Sequence, residues 1–232
     1  MHETPINFLA GFFGGLASSV LLSPLDALRI QHQLNEKTLI DKQILSRAVI
    51  GCVSSQPAFW GMFWATRNLV RDKINKNLEP WVSSSIASTL CNPLFCFRTR
   101  ICSQENLKHD VKTVWKGTMN LKDRWTRGLG LTYFHNVQFA FLVPLVEMMR
   151  NPEKDTASST ILKTAVGKII VGTVWYPIEV FRTFKRMGQD KNIYEFAFSK
   201  EKGVFWRGYP IFLIRSVPQT AISLGTAMWL TG

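Results

Sequence analysis

Long stretches without a formal charge constrain this chain more than any other feature of its sequence. Four of them run for 22, 19, 18 and 19 residues, at positions 4–25, 48–66, 80–97 and 128–146 of the 232-residue chain. About 20 apolar residues in a helix cover the roughly 30 Å hydrocarbon core of a bilayer. Each stretch is therefore predicted to be a transmembrane helix.

Two further apolar segments are predicted to span the membrane although they contain charged residues. They occupy 156–180 and 208–232, and their charges include Lys168, Glu179 and Arg215. A charge inside a membrane costs about 2.5–3.5 kcal/mol on the insertion scale, so it tends to face a water-filled interior. We therefore predict an all-α membrane protein of six transmembrane helices with functional charges inside.

The net charge of +12 is unevenly distributed between the predicted sides of the membrane. Segments on one side carry +2, +5 and +4, at 29–47, 98–127 and 182–207. Those on the other side carry −1, +2 and +1, at 1–25, 67–79 and 147–168. This asymmetry follows the positive-inside rule and places both termini on the less positive side. No run of five basic residues occurs, so no nucleic-acid partner is predicted.

Three segments of the sequence resemble one another. They read PLDALRIQHQ from Pro24, PLFCFRTRIC from Pro93 and PIEVFRTFKR from Pro177, each with an arginine five positions after the proline. A proline inside a transmembrane helix frees a carbonyl group and bends the axis. We predict a helix kink at each of the three prolines.

A second triplet sets the length of the repeat. LSRA, WTRG and FWRG contain Arg47, Arg127 and Arg207, which are 80 residues apart both times. We predict three repeats, at 1–78, 79–155 and 156–232, that form one integral domain. Each repeat is expected to contain a kinked helix, a short surface helix and a second membrane helix, related by pseudo-threefold symmetry.

The sequence contains no recognisable set of catalytic or metal-binding residues. Its four cysteines show no CxxC spacing and no nearby group of histidines. No paired carboxylates, nucleophile with a base, or phosphate-binding loop occurs either. We predict a protein that is not an enzyme and that holds no metal or cofactor.

The repeats resemble those of the mitochondrial carrier family of solute transporters, whose signature is P-x-[DE]-x-x-[KR] followed by aromatic-[KR]-G. The first repeat matches through Pro24, Asp26 and Arg29, and the third through Pro177, Glu179 and Arg182. The second keeps Pro93 and Arg98 but has Phe95 in place of the acid. The resemblance covers the whole chain, and the second half of the third repeat is its closest part.

The resemblance implies a gate of ion pairs on the matrix side. An acid and a base three positions apart project from the same helical face. Asp26 is then expected to pair with Arg98, and Arg29 with Glu179, while Arg182 loses its partner because of Phe95. Whether Arg182 serves lipid headgroups and water or attracts an anion stays open. Gln33 occupies the family's glutamine-brace position.

On the opposite side the family uses an aromatic-[DE]-x-x-[KR] motif. Here Glu147 and Arg150 fit it, with Val146 at the aromatic position, and they are the predicted cytoplasmic gate. The second helix has Arg67, and the sixth has Ala227 in place of an acid. The cytoplasmic gate is therefore expected to be degraded.

Solute contacts in the family lie seven residues beyond the glycine of aromatic-[KR]-G. That count gives Ser55, His135 and Arg215, with Asn136 beside His135, and Lys168 adds a further cation. Separately, Gly128 and Gly208 resemble the family's cardiolipin sites, where helix N-termini receive phosphate.

One tryptophan pair and one glycine pair are less specific indicators of function. Trp60 and Trp64, at helical spacing, suit base stacking or packing at a helix interface. Gly11 and Gly15 form a GxxxG pair, which permits close contact between helices.

These features predict a monomeric multi-pass protein of the inner mitochondrial membrane, either of the encoding organism or of a host cell. Its termini are expected in the intermembrane space. The predicted function is exchange of small anionic metabolites, nucleotides first, by alternating access. Two alternatives stay open, a carrier of carboxylates or amino acids and a membrane adaptor that keeps the fold without transport. The predicted partners are the small anionic solute, cardiolipin and other membrane lipids.

Overall fold

The charge-free stretches of the sequence lie in helices throughout the described part of the chain. The computed structural model describes residues 3–37, 40–117, 120–151, 155–189, 195 and 203–220. All regular elements in these residues are helical. They are α1 (Glu3–Gln33), α2 (Lys42–Val70), α3 (Glu79–Ile101), α4 (Val111–Gly117), α5 (Leu121–Thr126), α6 (Leu129–Met149), α7 (Ala157–Met187) and α8 (Tyr209–Thr220), with 3₁₀ turns at Gln104–Asn106 and Val204–Trp206.

The six longer helices pack in a closed ring. Helix α1 contacts α2, α2 contacts α3, α3 contacts α6, α6 contacts α7, α7 contacts α8, and α8 returns to α1. The short helices α4 and α5 lie in the connection between α3 and α6, on the basic segment of the second predicted repeat. A ring of this order surrounds an interior to which all six helices can contribute side chains.

The polarity of the ring is inverted relative to a water-soluble helical bundle. Asp26 and Arg98 are 0% and 5% exposed in its interior, whereas Leu21, Leu162 and Val174 on the outside are 66–70% exposed. Large apolar side chains are exposed on α1, α3, α6, α7 and α8 alike. An apolar outer surface around buried charges is the arrangement that a lipid environment favours.

Three helical stretches in the described residues are long and apolar enough to cross a membrane. They are Phe8–Gln33, Lys122–Met149 and Ala157–Met187. Helices α2 and α3 are less apolar because they carry polar side chains such as Gln56, Ser88 and Asn92, which are buried. Six membrane spans therefore stay a prediction, and Ala227 and the rest of 221–232 lie outside the described residues.

All three motif prolines lie inside continuous helices. Pro24 is in α1, Pro93 in α3 and Pro177 in α7, so no helix ends at its proline. At Pro93 and Pro177, the side chain of the preceding residue reaches the loop that comes before the next ring helix. Asn92 donates to the Arg127 carbonyl at 3.2 Å, as well as to two carbonyls just before it.

The third repeat makes the corresponding contact with a different side chain. The Tyr176 hydroxyl donates to the Arg207 carbonyl, and Arg207 is 80 residues beyond Arg127. In the first repeat Ser23 instead donates to the Val20 carbonyl of its own helix. The second and third predicted repeats thus share a contact that the first lacks.

The closest helix packing is that of α1 on α2. A Cβ atom built on Gly11 would lie 2.5 Å from the Trp60 carbonyl oxygen, and one on Gly15 would lie 3.0 Å from the Gln56 carbonyl oxygen. Trp64 Cδ1 would lie 2.6 Å from the same Cβ of Gly11. The GxxxG pair therefore allows the two backbones to approach, and both tryptophans pack against α1.

Candidate solute cavity and ion-pair ring

The Asp26 carboxylate on α1 gathers three arginines from three helices. Arg98 of α3 donates to both of its oxygens at 2.5 Å, and Arg29 Nη2 lies 3.0 Å from Oδ1. Arg215 Nε of α8 lies 2.8 Å from the same Oδ1, close enough for an ion pair but without hydrogen-bond alignment. Cys52 donates its thiol to Oδ2 at 3.3 Å. Asp26 therefore links α1 to α3 and α8.

Glu179 on α7 is the second carboxylate of the ring. Arg29 Nη1 lies 2.5 Å from Oε1, and Arg182 Nη2 donates to Oε2. His135 Nε2 on α6 lies 3.0 Å from Oε2. The neutral tautomer that fits this contact carries its proton on Nε2, which leaves Nδ1 as an acceptor. The two expected pairs, Asp26 with Arg98 and Arg29 with Glu179, are thus both in contact.

Arg182 differs from the sequence-based expectation. Phe95 was expected to leave it without a partner, but it bonds to Glu179, one turn earlier in its own helix. Its Nη1 also lies 3.2 Å from His135 Nδ1. Arg182 therefore compensates for the missing acid by turning to groups on α7 and α6.

The position opposite Phe95 is filled by Arg186, a residue that the sequence reasoning missed. The Arg186 guanidinium carbon lies 5.0 Å from the Phe95 ring centroid, and Nη2 donates to Thr132 Oγ1 at 3.1 Å. Arg186 follows Pro177 by nine residues, as Gln33 follows Pro24. That shared offset was the signal in the sequence that could have identified it.

Gln33 bridges α1 to α7 at the brace position. Its amide oxygen accepts from Thr183 at 2.8 Å, and its amide nitrogen lies 3.4 Å from the Tyr176 hydroxyl. Both partners are on α7, Tyr176 about one turn before Glu179 and Thr183 about one turn after it. Gln33 thus reinforces the side of the ring that the Arg29–Glu179 pair already holds.

A cavity opens between the ring helices above these pairs. Its volume is about 110 Å³. One wall is aromatic, with Phe59, Trp60, Phe95 and Phe139. The charged lining consists of six cations and one acid, namely Arg29, Arg98, Lys168, Arg182, Arg186, Arg215 and Glu179.

Two of these cations have no ion pair among the described residues. Lys168 donates to Gln138 Oε1 at 2.8 Å and lies 5.6 Å from the Phe212 ring centroid. Arg186 contacts Phe95 and Thr132, as described above. With Asp26 behind the lining, six cations face two carboxylates in the part of the chain that the structure describes, so the cavity has an excess of positive charge there.

Four of the five predicted solute contacts line this cavity. They are Arg215, His135, Asn136 and Lys168. Asn136 donates to Ser88 Oγ at 2.9 Å and to the Ser84 carbonyl, which fixes its amide against α3.

Ser55 is the exception among the predicted contacts. Its hydroxyl donates to the Gly51 carbonyl at 2.7 Å inside α2, and it does not line the cavity. The next residue, Gln56, does line it and accepts from Gln219 Nε2 at 2.7 Å. The count therefore differs by one residue from the cavity lining on α2, in the repeat that lacks the aromatic and glycine from which the count starts.

Among the described residues, no ion pair joins the two predicted cytoplasmic gate residues, Glu147 and Arg150, to each other. Glu147 instead pairs with Arg67 Nη2 at 3.1 Å and with Lys76 at 3.6 Å. Arg67 also pairs through Nε with Glu79 at 2.7 Å. Arg67, regarded as a departure from the motif, therefore joins the ends of α2, α3 and α6.

The two predicted lipid-binding glycines begin ring helices. Gly128 and Gly208 have φ values of +68° and +72°, a conformation that favours glycine, and they precede α6 and α8 directly. A Cβ on Gly208 would lie 3.3 Å from the Arg29 carbonyl oxygen, and one on Gly128 would lie 3.3 Å from Arg186 Cγ. Cardiolipin binding at these helix starts stays a prediction.

Comparison with known proteins shows a sequence similarity to a transporter. No protein-family profile matches the chain. It is similar to Mitochondrial nicotinamide adenine dinucleotide transporter 1 of Saccharomyces cerevisiae, with 23% identity over an alignment of 286 positions that covers 97% of this chain and 76% of the relative. That relative is a transporter and not an enzyme. The chain is therefore similar, over almost its whole length, to a mitochondrial solute transporter.

Proposed function

We propose that this protein is a secondary transporter that exchanges small anionic metabolites across the inner mitochondrial membrane by alternating access. One observation carries the proposal: among the described residues, six cations and one carboxylate line a single cavity within the ring of helices, and the Asp26 carboxylate lies behind them. Unpaired buried charge is costly, so a cavity with this excess of cations favours an anionic occupant.

The matrix-side ion pairs supply the gate in this proposal. They join α1, α3, α7 and α8 through Asp26 and Glu179. A solute that binds more tightly to the open state than to the closed state can offset the loss of such pairs. The network of Arg67, Glu79 and Glu147 would serve as the opposing gate.

Nucleotides are the first choice of solute. The aromatic wall of Phe59, Trp60 and Phe139 offers ring faces for a base, and the cations offer donors for phosphate. The yeast relative carries a dinucleotide according to its name, which is compatible with this choice. A carrier of carboxylates or amino acids would use the same cations without the aromatic wall.

Thermal-shift screening of the purified protein tests the choice of solute. A ligand that binds only the folded state raises the melting temperature by mass action. We expect nucleotides to raise it more than carboxylates or amino acids do. A clear shift for a carboxylate with a flat response to all nucleotides would contradict the nucleotide assignment.

A membrane adaptor with the same fold is the contrasting outcome. It would bind a partner protein normally while showing no shift with any solute and no uptake in liposomes. Lys168→Gln separates the transporter from the adaptor. A transporter should lose solute uptake in this variant, whereas an adaptor should bind its partner protein as before, because an adaptor has no need of this cavity charge.

A further inference from the structure

The ring of ion pairs has a gap between α3 and α7, at Phe95. Asp26 of α1 meets Arg98 of α3, and Glu179 of α7 meets Arg29 of α1. The corresponding position on α3 is Phe95, so no carboxylate faces α7 there. Two seams of the ring thus contain an acid, and the third contains an aromatic ring.

Two arginines of α7 flank this gap. Arg182 and Arg186 are one helical turn apart, and both line the cavity. They also lie together on Gly128, since a Cβ built there would be 3.3 Å from Arg186 Cγ and 3.8 Å from Arg182 Cγ. Their guanidinium groups both reach α6, Arg182 at His135 and Arg186 at Thr132.

Both arginines retain unused hydrogen-bonding capacity. The Nε atoms of Arg182 and Arg186 are buried and have no hydrogen-bond partner among the described residues. Arg186 is 7% exposed, and its contacts are neutral, the Phe95 ring and the Thr132 hydroxyl. A buried guanidinium that meets only neutral groups lacks the charge-assisted bonds that best offset its desolvation.

We propose that an anionic group of the solute, a phosphate or a carboxylate, binds between Arg182 and Arg186 and takes the place of the acid missing at Phe95. In the empty protein Arg186 rests on the Phe95 ring, and the incoming anion draws it away. The solute itself then completes the third seam. This inference rests on the proposed transport function. It identifies the site at which solute binding acts on the matrix-side ion pairs.

The first test supplies the missing acid within the chain. Phe95→Glu should occupy the arginines permanently, raise the melting temperature of the ligand-free protein, and weaken pyrophosphate binding by about 10- to 100-fold. Binding is measured by isothermal titration calorimetry in phosphatidylcholine nanodiscs. Because the variant is expected to be more stable, loss of binding cannot be attributed to misfolding.

Two matched variants control for charge and for shape. Gln56→Glu also adds one negative charge to the cavity and keeps the acceptor for Gln219, so it should weaken pyrophosphate binding much less than Phe95→Glu does. Phe95→Leu removes the ring without adding charge and should bind within about threefold of the wild type. Equal losses in Phe95→Glu and Gln56→Glu would overturn the proposal.

Arg186→Gln tests the cation directly. It should weaken pyrophosphate binding by about 10- to 100-fold, because a charge-assisted bond is lost. Unchanged binding would overturn the site even if the wild type transports normally. Conversely, if pyrophosphate binds as expected but no solute crosses liposomes, the site stands and the transport function fails.

A lipid phosphate is the other source of an anion at this seam. The titrations are therefore repeated in nanodiscs with cardiolipin added. A solute site predicts pyrophosphate binding in pure phosphatidylcholine and at most modest competition from cardiolipin. If cardiolipin alone stabilises the wild type but not Arg186→Gln, and pyrophosphate binds to neither, the proposed solute site is wrong.

Discussion

At the scale of single residues, the Asp26 carboxylate is the most heavily contacted charge in the described part of the chain. It is fully buried and faces Arg29, Arg98 and Arg215 at 2.5–3.0 Å. Removing one partner of a buried ion pair leaves the other charge uncompensated. Here a single substitution would leave three guanidinium groups without their shared partner.

Asp26→Asn is therefore expected to destabilise the protein by about 3–5 kcal/mol. The melting temperature in detergent measures this loss. Asp123→Asn is the control, because Asp123 pairs with Arg127 at 3.7 Å and its side chain is 38% exposed. The control should cost less than about 1 kcal/mol. Equal melting temperatures for the two variants would contradict the central place of Asp26.

Arg215 joins the gate carboxylate and the cavity, so its loss should affect transport more than folding. Asp26 keeps Arg29 and Arg98 in Arg215→Ala, and we expect the variant to remain folded but to lose uptake into liposomes. Arg215→Lys keeps the charge without the planar fork and should retain partial activity at best. Wild-type uptake by Arg215→Ala would remove this arginine from the transport path.

At the scale of elements, the interface between α1 and α2 leaves little space for added side-chain atoms. Gly11→Ala would place a Cβ atom 2.5 Å from the Trp60 carbonyl, so one of the two backbones must shift. We expect a lower melting temperature, since closely packed helices tolerate added volume poorly. Gly130→Ala in α6 is the control, because a Cβ there meets nothing within 4 Å. It should be neutral or stabilising, given alanine's higher helix propensity.

The helices and the motif residues could be predicted from the sequence because charge-free length and proline spacing are local signals, whereas the pairing of the motif residues was implied by the resemblance to the carrier family. Arg67 could not be found in the same way, and the offset of Arg186 from Pro177 marks its position without giving its role. The role of Arg186 depends on Phe95, which lies 91 positions earlier on another helix, and Arg67 joins acids on α3 and α6. Ser55 lies one residue from the cavity lining, and its repeat lacks the aromatic and glycine from which the count starts.

At the scale of the whole molecule, the ring of helices and the uneven distribution of basic residues predict a defined topology. The loop between α2 and α3 should face the opposite side from α4. Single cysteines at Asp72 and Lys112, both exposed, should then react with a membrane-impermeant maleimide from opposite sides of oriented vesicles. The four native cysteines are buried and free, and their replacement removes any background. Labelling of both positions from one side would contradict the six-span arrangement.

Exchange in liposomes is the measurement that tests the central claim most directly. Purified protein is reconstituted into cardiolipin-containing liposomes loaded with an unlabelled nucleotide, and entry of labelled nucleotide is followed over time. The proposed transporter should show uptake that requires internal nucleotide, that saturates with external concentration, and that is lost in Arg215→Ala. A correctly folded wild-type protein that moves no nucleotide, carboxylate or amino acid would contradict it, and the adaptor interpretation would replace transport.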